Sequence, residues 1–336
     1  MDLKKMCVIV LGLVGLVAMT LVSSPVIGKE RPLIAFSQCT MNHPWRVTLT
    51  NDMKYWAAKL DVNFIWADGN NDAANQLADC EDLIAKKPDV LVISPLQAKA
   101  LAPVYDMCNE AKVPLIVIDR YIDAEPGTGM YITFIGEDQM EEGRTAARLL
   151  VKKLFEVYGE YKGNIVELQG TIGAGPTIDR HKGFLEIIDK YPDIQVVATQ
   201  SADYLREPAM KIMEDWLQRF PKGTIHAVYA HNDEMALGAM AAIKAAGRNE
   251  LLGWICSIDG QVQALKAVLD GEFLVSVQNP PYFGESSIKS ALRYLEGYHL
   301  PAIQWVPFKV FHAQTPKARA MTEEYYNYLV ANDLYY

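Results

Sequence analysis

Three consecutive polar residues, His231, Asn232 and Asp233, stand between a short apolar run and a segment rich in Ala and Met. Their side chains could bind a metal ion, transfer protons or hold a polar ligand. The chain has six histidines, but none lies at helical or hairpin spacing from His231, so a metal site is disfavoured. We expect no metal and no cofactor.

Motifs of covalent and phosphate chemistry are missing from the sequence. It has no G-x-S-x-G, no G-x-x-x-x-G-K-[ST] and no H-E-x-x-H motif. The glycine-rich stretch GTIGAGP, residues 170–176, lacks the Lys and the Ser/Thr of a nucleotide-binding loop. We therefore expect no catalytic residues. Hydrolase or isomerase activity that uses isolated Asp and Arg residues is one alternative.

The two ends of the chain differ in composition. Residues 1–28 contain Lys4 and Lys5, then an uncharged run and then small residues, which is the order of a secretory signal peptide. A membrane anchor is the alternative, although the run is short for a membrane span. With a formal net charge of −9, the chain has no general attraction for nucleic acid. We expect an exported, extracytoplasmic protein.

From residue 31 onwards, apolar runs alternate with amphipathic segments. The first set of apolar runs is PLIAFSQ, VNFIWAD, DVLVISP, PLIVIDR and MYITFIG, and the second is GNIVELQG, IQVVATQS, IHAVYAH, GWICSIDG and FLVSVQN. Short continuous apolar runs with helices between them indicate βαβ units and parallel sheets. Two such sets predict an α/β fold of two doubly wound, Rossmann-like domains with a structured hinge near residues 135–138.

The carboxyl ends of the predicted strands carry polar and aromatic residues, and ligands of open parallel sheets bind at those ends. Carboxylates accept hydroxyl hydrogen bonds, Arg donates in a planar fork, and aromatic faces cover the C–H side of a sugar ring. The set therefore favours a carbohydrate. The alternative is that Asp138 and Asp233 cap or begin the helices that follow them.

At these strand ends the residues from about 31 to 320 resemble a known family. The blocks IAFSQCTMNHPW, IVIDR, VELQGTIGAGPTIDRHKGF, VYAHNDEMALGAM and SIDG occur in the order found in type I periplasmic sugar-binding proteins of ABC importers, in the ribose-binding and galactofuranose-binding group. The resemblance implies one domain of residues 29–136 and 279–308, and a second of residues 137–278 and 309–336. A hinge of several strands would join them.

The resemblance also implies a set of ligand-binding residues. Trp45 would stack on the sugar, and His43 would occupy a neighbouring polar position. In the "WR" pair, Arg46 resembles the galactofuranose-binding pattern, whereas Gln278 at the hinge resembles the ribose-binding pattern. The other implied contacts are Asp119, Arg120, Arg180, Tyr204, Asn232 and Asp259. Asp233 would then cap its helix, while His231 would end the strand behind the ligand.

These residues together predict a periplasmic receptor that binds a monosaccharide between its domains and delivers it to an ABC transporter permease. A galactofuranose-like hexose or another aldose is favoured, and a monomer is expected. The alternatives are a sensor that presents the sugar-bound form to a chemoreceptor or histidine kinase, and an exported sugar-modifying enzyme. Four cysteines follow residue 28, and we expect free buried thiols, with a Cys80–Cys108 disulfide left open.

Overall fold

The computed structural model describes residues 31–336, which contain two sheets of six strands each. The predicted signal peptide, residues 1–28, lies outside the described residues. Helices cover both sheets, and each sheet packs against its own buried apolar clusters. The predicted fold class, two α/β domains, is confirmed.

The first sheet takes five strands from the first half of the chain and one later strand. These are β1 (Leu33–Gln38), β2 (Asn63–Asp68), β3 (Val90–Ser94), β4 (Leu115–Ile118), β5 (Tyr131–Gly136) and β11 (Ile303–Trp305). They lie in the order β11-β5-β4-β3-β1-β2, and every pair is parallel. All residues of β3 and β4 are buried, as expected for continuous apolar runs with helices on both faces.

The second sheet repeats this arrangement. Its strands are β6 (Gly163–Gln169), β7 (Ile194–Ser201), β8 (Ala227–Ala230), β9 (Ile255–Asp259), β10 (Phe273–Gln278) and β12 (Val310–His312). They lie in the order β12-β10-β9-β8-β6-β7, and β12 alone runs antiparallel to its neighbour. Because the strand order matches that of the first sheet, β4 and β9 occupy equivalent positions in the two domains.

Ten helices connect the strands of the described chain. Around the first sheet lie α1 (Pro44–Lys59), α2 (Ala73–Ala85), α3 (Pro103–Ala111) and α9 (Gly284–Leu295). Around the second lie α4 (Gln139–Tyr158), α5 (Gly175–Ile188), α6 (Arg206–Arg219), α7 (Asp233–Ala245), α8 (Val262–Leu269) and α10 (Pro316–Ala331). Asp138 caps α4 as predicted, because its carboxylate accepts the amide hydrogen of Glu141 at 2.9 Å.

Within residues 31–336, three short segments carry the chain from one sheet to the other: 137–138, 279–283 and 306–309. The first lies at the predicted hinge. Three connections restrain the two domains far more than a single tether would, and they allow hinge motion about a common axis. The exact domain boundaries given above stay a prediction.

The four cysteines of the described residues, Cys39, Cys80, Cys108 and Cys256, are buried free thiols. Burial raises the pKa of Cys80 and Cys108 to about 12, so neither forms a reactive thiolate at neutral pH. None of the helices in the described part of the chain has the length and apolar character needed to span a membrane.

Candidate functional site

A small cavity lies where the carboxyl ends of the two sheets meet. It encloses about 250 Å³ of empty space. Its lining contains eight of the ten predicted ligand-binding residues, namely Trp45, Arg46, Asp119, Arg120, Arg180, Tyr204, Asn232 and Asp259, together with Pro176 and Asn279.

The wall formed by the first domain is held together by an ion pair. Arg46 Nη1 lies 2.7 Å from Asp119 Oδ2 and 2.8 Å from the hydroxyl of Ser94, which itself donates to Asp119 Oδ2 at 2.9 Å. The guanidinium of Arg46 also lies 4.4 Å from the ring centre of Trp45. These contacts fix the "WR" pair against the end of β4.

Trp45 connects this wall to the hinge. Its indole Nε1 donates to the backbone oxygen of Asn279 at 2.8 Å, and its side chain packs in the core of the first domain. Asn279 belongs to the segment that leads from β10 to α9. The aromatic face in the cavity is therefore oriented by the hinge.

On the opposite wall, Arg180 is fixed by two acceptors. Its Nε donates to Glu142 at 2.8 Å, and its Nη1 donates to the backbone oxygen of His231 at 2.7 Å. Helices α4 and α5 approach closely enough for this contact because Gly143 lacks a Cβ, which would meet the backbone oxygen of Arg180 at 2.3 Å. Burial raises the pKa of Glu142, while Arg180 opposes that shift.

Tyr204, Asn232 and Asp259 complete this wall. The hydroxyl of Tyr204 hydrogen bonds with that of Thr177 at 2.8 Å, and the Arg120 guanidinium lies 5.3 Å from the tyrosine ring centre. Asn232 Nδ2 donates to the backbone oxygen of Tyr204 at 3.2 Å. Within the described residues, the carboxylate of Asp259 accepts no hydrogen bond. Burial raises the pKa of Asp259 well above its ordinary value, although Arg180 opposes the shift.

Three residues of the lining have backbone angles that are rare outside glycine. The φ angles are 61° at Asp119, 63° at Tyr204 and 132° at Asp259. Such conformations persist only where surrounding contacts enforce them, and they concentrate at functional sites. The cavity therefore combines strained strand ends with buried charge.

Several polar atoms of the lining residues are buried and unpaired. Arg46 Nε, Arg120 Nε and Asn279 Oδ1 have no hydrogen-bond partner among the described residues. Buried polar groups without partners are rare and call for an explanation. A ligand with several hydroxyl groups could accept hydrogen bonds from the two Nε donors and donate one to the Asn279 oxygen.

Two predicted ligand residues do not line the cavity. His43 lies in a neighbouring groove with Arg206 and Glu234. Its burial, with Arg46 and Arg120 nearby, holds its pKa well below the usual value, so His43 is neutral. Gln278 is bonded to the hydroxyl of Tyr325 at 2.8 Å and to the amide of Lys309 at 3.0 Å, on a different cavity. Their ligand roles stay predictions.

Asn279, the residue after Gln278, lines the cavity, although it is not among the residues predicted from the sequence. Successive side chains of a strand point to opposite sides, so a shift of one residue exchanges a cavity-lining position for one on the far side. The segment FLVSVQN does not by itself show which of its last two residues faces the cavity.

The opening cluster has three distinct roles. His231 is fully buried and its Nε2 lies 3.0 Å from Glu167, which also contacts His181 at 2.9 Å. Asn232, and not Asp233, is the N-cap of α7, since its Oδ1 accepts the amide hydrogen of Met235 at 2.9 Å. The prediction that Asp233 caps this helix is wrong in that detail, although Asp233 does begin it. Between residues 31 and 336, no group of three or more His, Cys, Asp or Glu residues could hold a metal ion.

Comparison with known proteins is consistent with this geometry. Residues 34–299 match the model of the periplasmic binding protein domain. The galactofuranose-binding protein YtfQ of Escherichia coli is 35% identical over 273 residues, covering 80% of this chain and 83% of the relative. The ribose import binding protein of Bacillus subtilis is 33% identical, covering 84% of this chain and 88% of the relative.

A solved structure shows the same fold. It is the periplasmic binding protein component of the arabinose ABC transporter from Shewanella, bound to L-arabinofuranose. It is 30% identical, superimposes with a TM-score of 0.79, and the alignment covers 90% of this chain and 99% of that one. These relatives are binding proteins and their family is extracytoplasmic. The two α/β domains and the extent of these matches show that the chain belongs to the periplasmic binding protein family.

Proposed function

We propose that this protein is the sugar receptor of an ABC importer, and that it binds one monosaccharide in the cavity between its two domains. The observation that carries the proposal is the set of unpaired buried atoms on Arg46, Arg120 and Asn279. A sugar supplies hydroxyls that donate and accept, so one ligand satisfies all of them. Trp45 offers an aromatic face for the C–H side of the ring.

The cavity draws its lining from both domains, which explains how binding and closure are coupled. Trp45, Arg46, Asp119 and Arg120 come from the first domain, and Arg180, Tyr204, Asn232 and Asp259 from the second. Only the closed arrangement brings both sets to one ligand, so the sugar shifts the population towards it. The closed, monomeric form is what the importer's permease would recognise in the periplasm after cleavage of the signal peptide.

A furanose ring is the form we propose for the ligand. The "WR" pair was identified as a galactofuranose-type feature. Two of the relatives named above, from Escherichia coli and Shewanella, are named or crystallised with furanose sugars.

Ring form can be tested with galactose analogues. Galactose lacking its 5-hydroxyl cannot close to a pyranose, whereas galactose lacking its 4-hydroxyl cannot close to a furanose. We expect the first analogue to raise the melting temperature of the protein and the second to leave it unchanged. L-Arabinose and D-ribose serve as further sugars. Stabilisation by the pyranose-only analogue would reverse the assignment of ring form, and no response to any sugar would refute the receptor function.

A further inference from the structure

Asp233 is a fully buried carboxylate that does not line the cavity. Its Oδ2 accepts the backbone amide hydrogens of Gly260 and Gln261, both at 2.8 Å. Its Oδ1 accepts the hydroxyls of Ser257 at 2.5 Å and Ser276 at 2.9 Å. Four donors from two strands and a turn thus converge on one side chain.

Capping of α7 does not account for these contacts. Asn232 already provides the side-chain cap of this helix, and the groups bonded to Asp233 belong to β9, β10 and the turn before α8. Burial raises the pKa of Asp233 to about 7 despite its hydrogen bonds. A buried carboxyl group is therefore kept at a position where the helix end does not require one.

The two amides held by Asp233 directly follow Asp259. The backbone of Asp259 has φ 132°, a conformation that L residues rarely adopt, and Gly260 continues with φ 85°. Strain of this kind needs contacts that hold it in place. The bonds from Gly260 and Gln261 to Asp233 are such contacts, since they fix the turn immediately after the strained residue.

We propose that Asp233 is a positioning residue for sugar binding: by holding the Asp259–Gln261 turn it directs the Asp259 carboxylate into the cavity. The inference rests on the proposed function and adds a group that acts through Asp259. It also links three parts of the cavity lining. Asp233 follows Asn232 directly, holds the turn after Asp259, and bonds to Ser276 on the strand that leads to Asn279.

Two substitutions at this position separate positioning from mere folding. Asp233→Ala removes the acceptor of all four donors. Asp233→Asn keeps one oxygen that can accept both backbone amides, and its NH₂ group can donate to a serine oxygen. We expect the Ala variant to bind sugar at least about tenfold more weakly and the Asn variant to recover most of that loss, because Asn still offers an acceptor to the two backbone amides that fix the turn.

Affinity is measured by isothermal titration calorimetry with whichever of D-galactose, L-arabinose and D-ribose stabilises the wild type most. A purely structural defect lowers the fraction of binding-competent protein and leaves the dissociation constant unchanged. Asp72→Ala is the matched control. Asp72 also accepts two backbone amides at a helix start, from Ala74 at 2.8 Å and Asn75 at 2.9 Å, but it does not line the cavity. This variant should keep the wild-type affinity.

Wild-type affinity in Asp233→Ala, or an Asn variant that binds no better than the Ala variant, would overturn the proposal. Should the Ala variant not fold, Ser276→Ala removes a single donor, and affinity several-fold below wild type is expected; unchanged affinity there would likewise count against it. Asp259→Asn distinguishes failure of the proposed binding cavity from failure of the positioning role of Asp233. If Asp259→Asn binds normally, the cavity assignment fails. If it binds weakly while Asp233→Ala does not, only the positioning role fails.

Discussion

The two domains place an aspartate at equivalent strand ends, and the surroundings of these residues differ. Asp119 follows β4 and Asp259 ends β9, the fourth strand of each half, and both have positive φ angles. Asp119 is paired with Arg46 at 2.7 Å and with Ser94 at 2.9 Å. The Asp259 carboxylate has no such partner in the described chain.

Under the proposed function, we infer that the first wall is preassembled and that the ligand completes the second. In the first domain, the Asp119 carboxylate already accepts hydrogen bonds from Arg46 and Ser94. The Nε atoms of Arg46 and Arg120 have no hydrogen-bond partner among the described residues and could donate to a ligand. In the second domain, the bonds from Gly260 and Gln261 to Asp233 hold the turn after Asp259. The carboxylate of Asp259 is left to accept hydrogen bonds from a ligand. Binding would therefore begin at the first wall, and closure would follow because the second wall gains its missing hydrogen bonds.

The largest effect is expected from Asp119→Arg, which breaks the preassembled wall. A third guanidinium would face Arg46 and Arg120 in a site where all three side chains are buried, so charge repulsion and bulk should abolish sugar-dependent thermal stabilisation. The measurement is the ligand-induced change in melting temperature, after circular dichroism has shown that the variant is folded. An unchanged shift would mean that the sugar binds elsewhere.

A pair of isosteric changes tests the comparison itself. Asp119→Asn removes the charge that compensates Arg46, so we expect the unliganded protein to lose about 1–3 kcal/mol of unfolding free energy. Asp259→Asn replaces a carboxyl group that has no hydrogen-bonded partner among the described residues. It should leave the unliganded protein as stable as the wild type or more stable, while sugar affinity falls roughly tenfold to a hundredfold.

Urea unfolding of both variants gives the unfolding free energy, and calorimetric titration gives the sugar affinity. The comparison would be contradicted by equal losses of unliganded stability. It would also be contradicted if Asp259→Asn kept the affinity of the wild type.

The sequence predicted the parts of the molecule that follow from local patterns. Each apolar run became a strand, because continuous β-prone residues suit strands buried on both faces. The three-residue strands β11 and β12 were not identified, since they are short and mostly not buried. Two-domain architecture and the strand ends that carry the cavity were therefore accessible without coordinates.

The remaining features of the site depend on contacts between distant residues. Asn and Asp both cap helices, so sequence did not separate the roles of Asn232 and Asp233. The partners of Asp233 lie 24 to 43 residues away along the chain. Glu142, which holds Arg180, lies 38 residues before it in an ordinary amphipathic helix. No local signal marks either carboxylate as part of the site.

The smallest expected effect is a difference between the wild type and Asp259→Asn in how the unfolding free energy depends on pH. Burial raises the pKa of this carboxyl above its unfolded value, so the folded, unliganded protein binds a proton that the unfolded chain has released. Stability of the unliganded wild type should therefore fall as the pH rises from about 4 through the folded pKa, by about 1.4 kcal/mol for each unit of the shift that is crossed.

Asp259→Asn lacks this ionisation, whereas the Asp233 carboxyl is present in both proteins. Urea unfolding at pH 5 and pH 8 should thus show a smaller loss of stability in the variant. Sugar affinity of the wild type should rise over the same interval, because the ionised carboxylate is the better acceptor of sugar hydroxyls. Parallel stability curves for the two proteins would show that the Asp259 carboxyl is ionised in both the folded and the unfolded chain, and the second wall would then be charged before the ligand arrives.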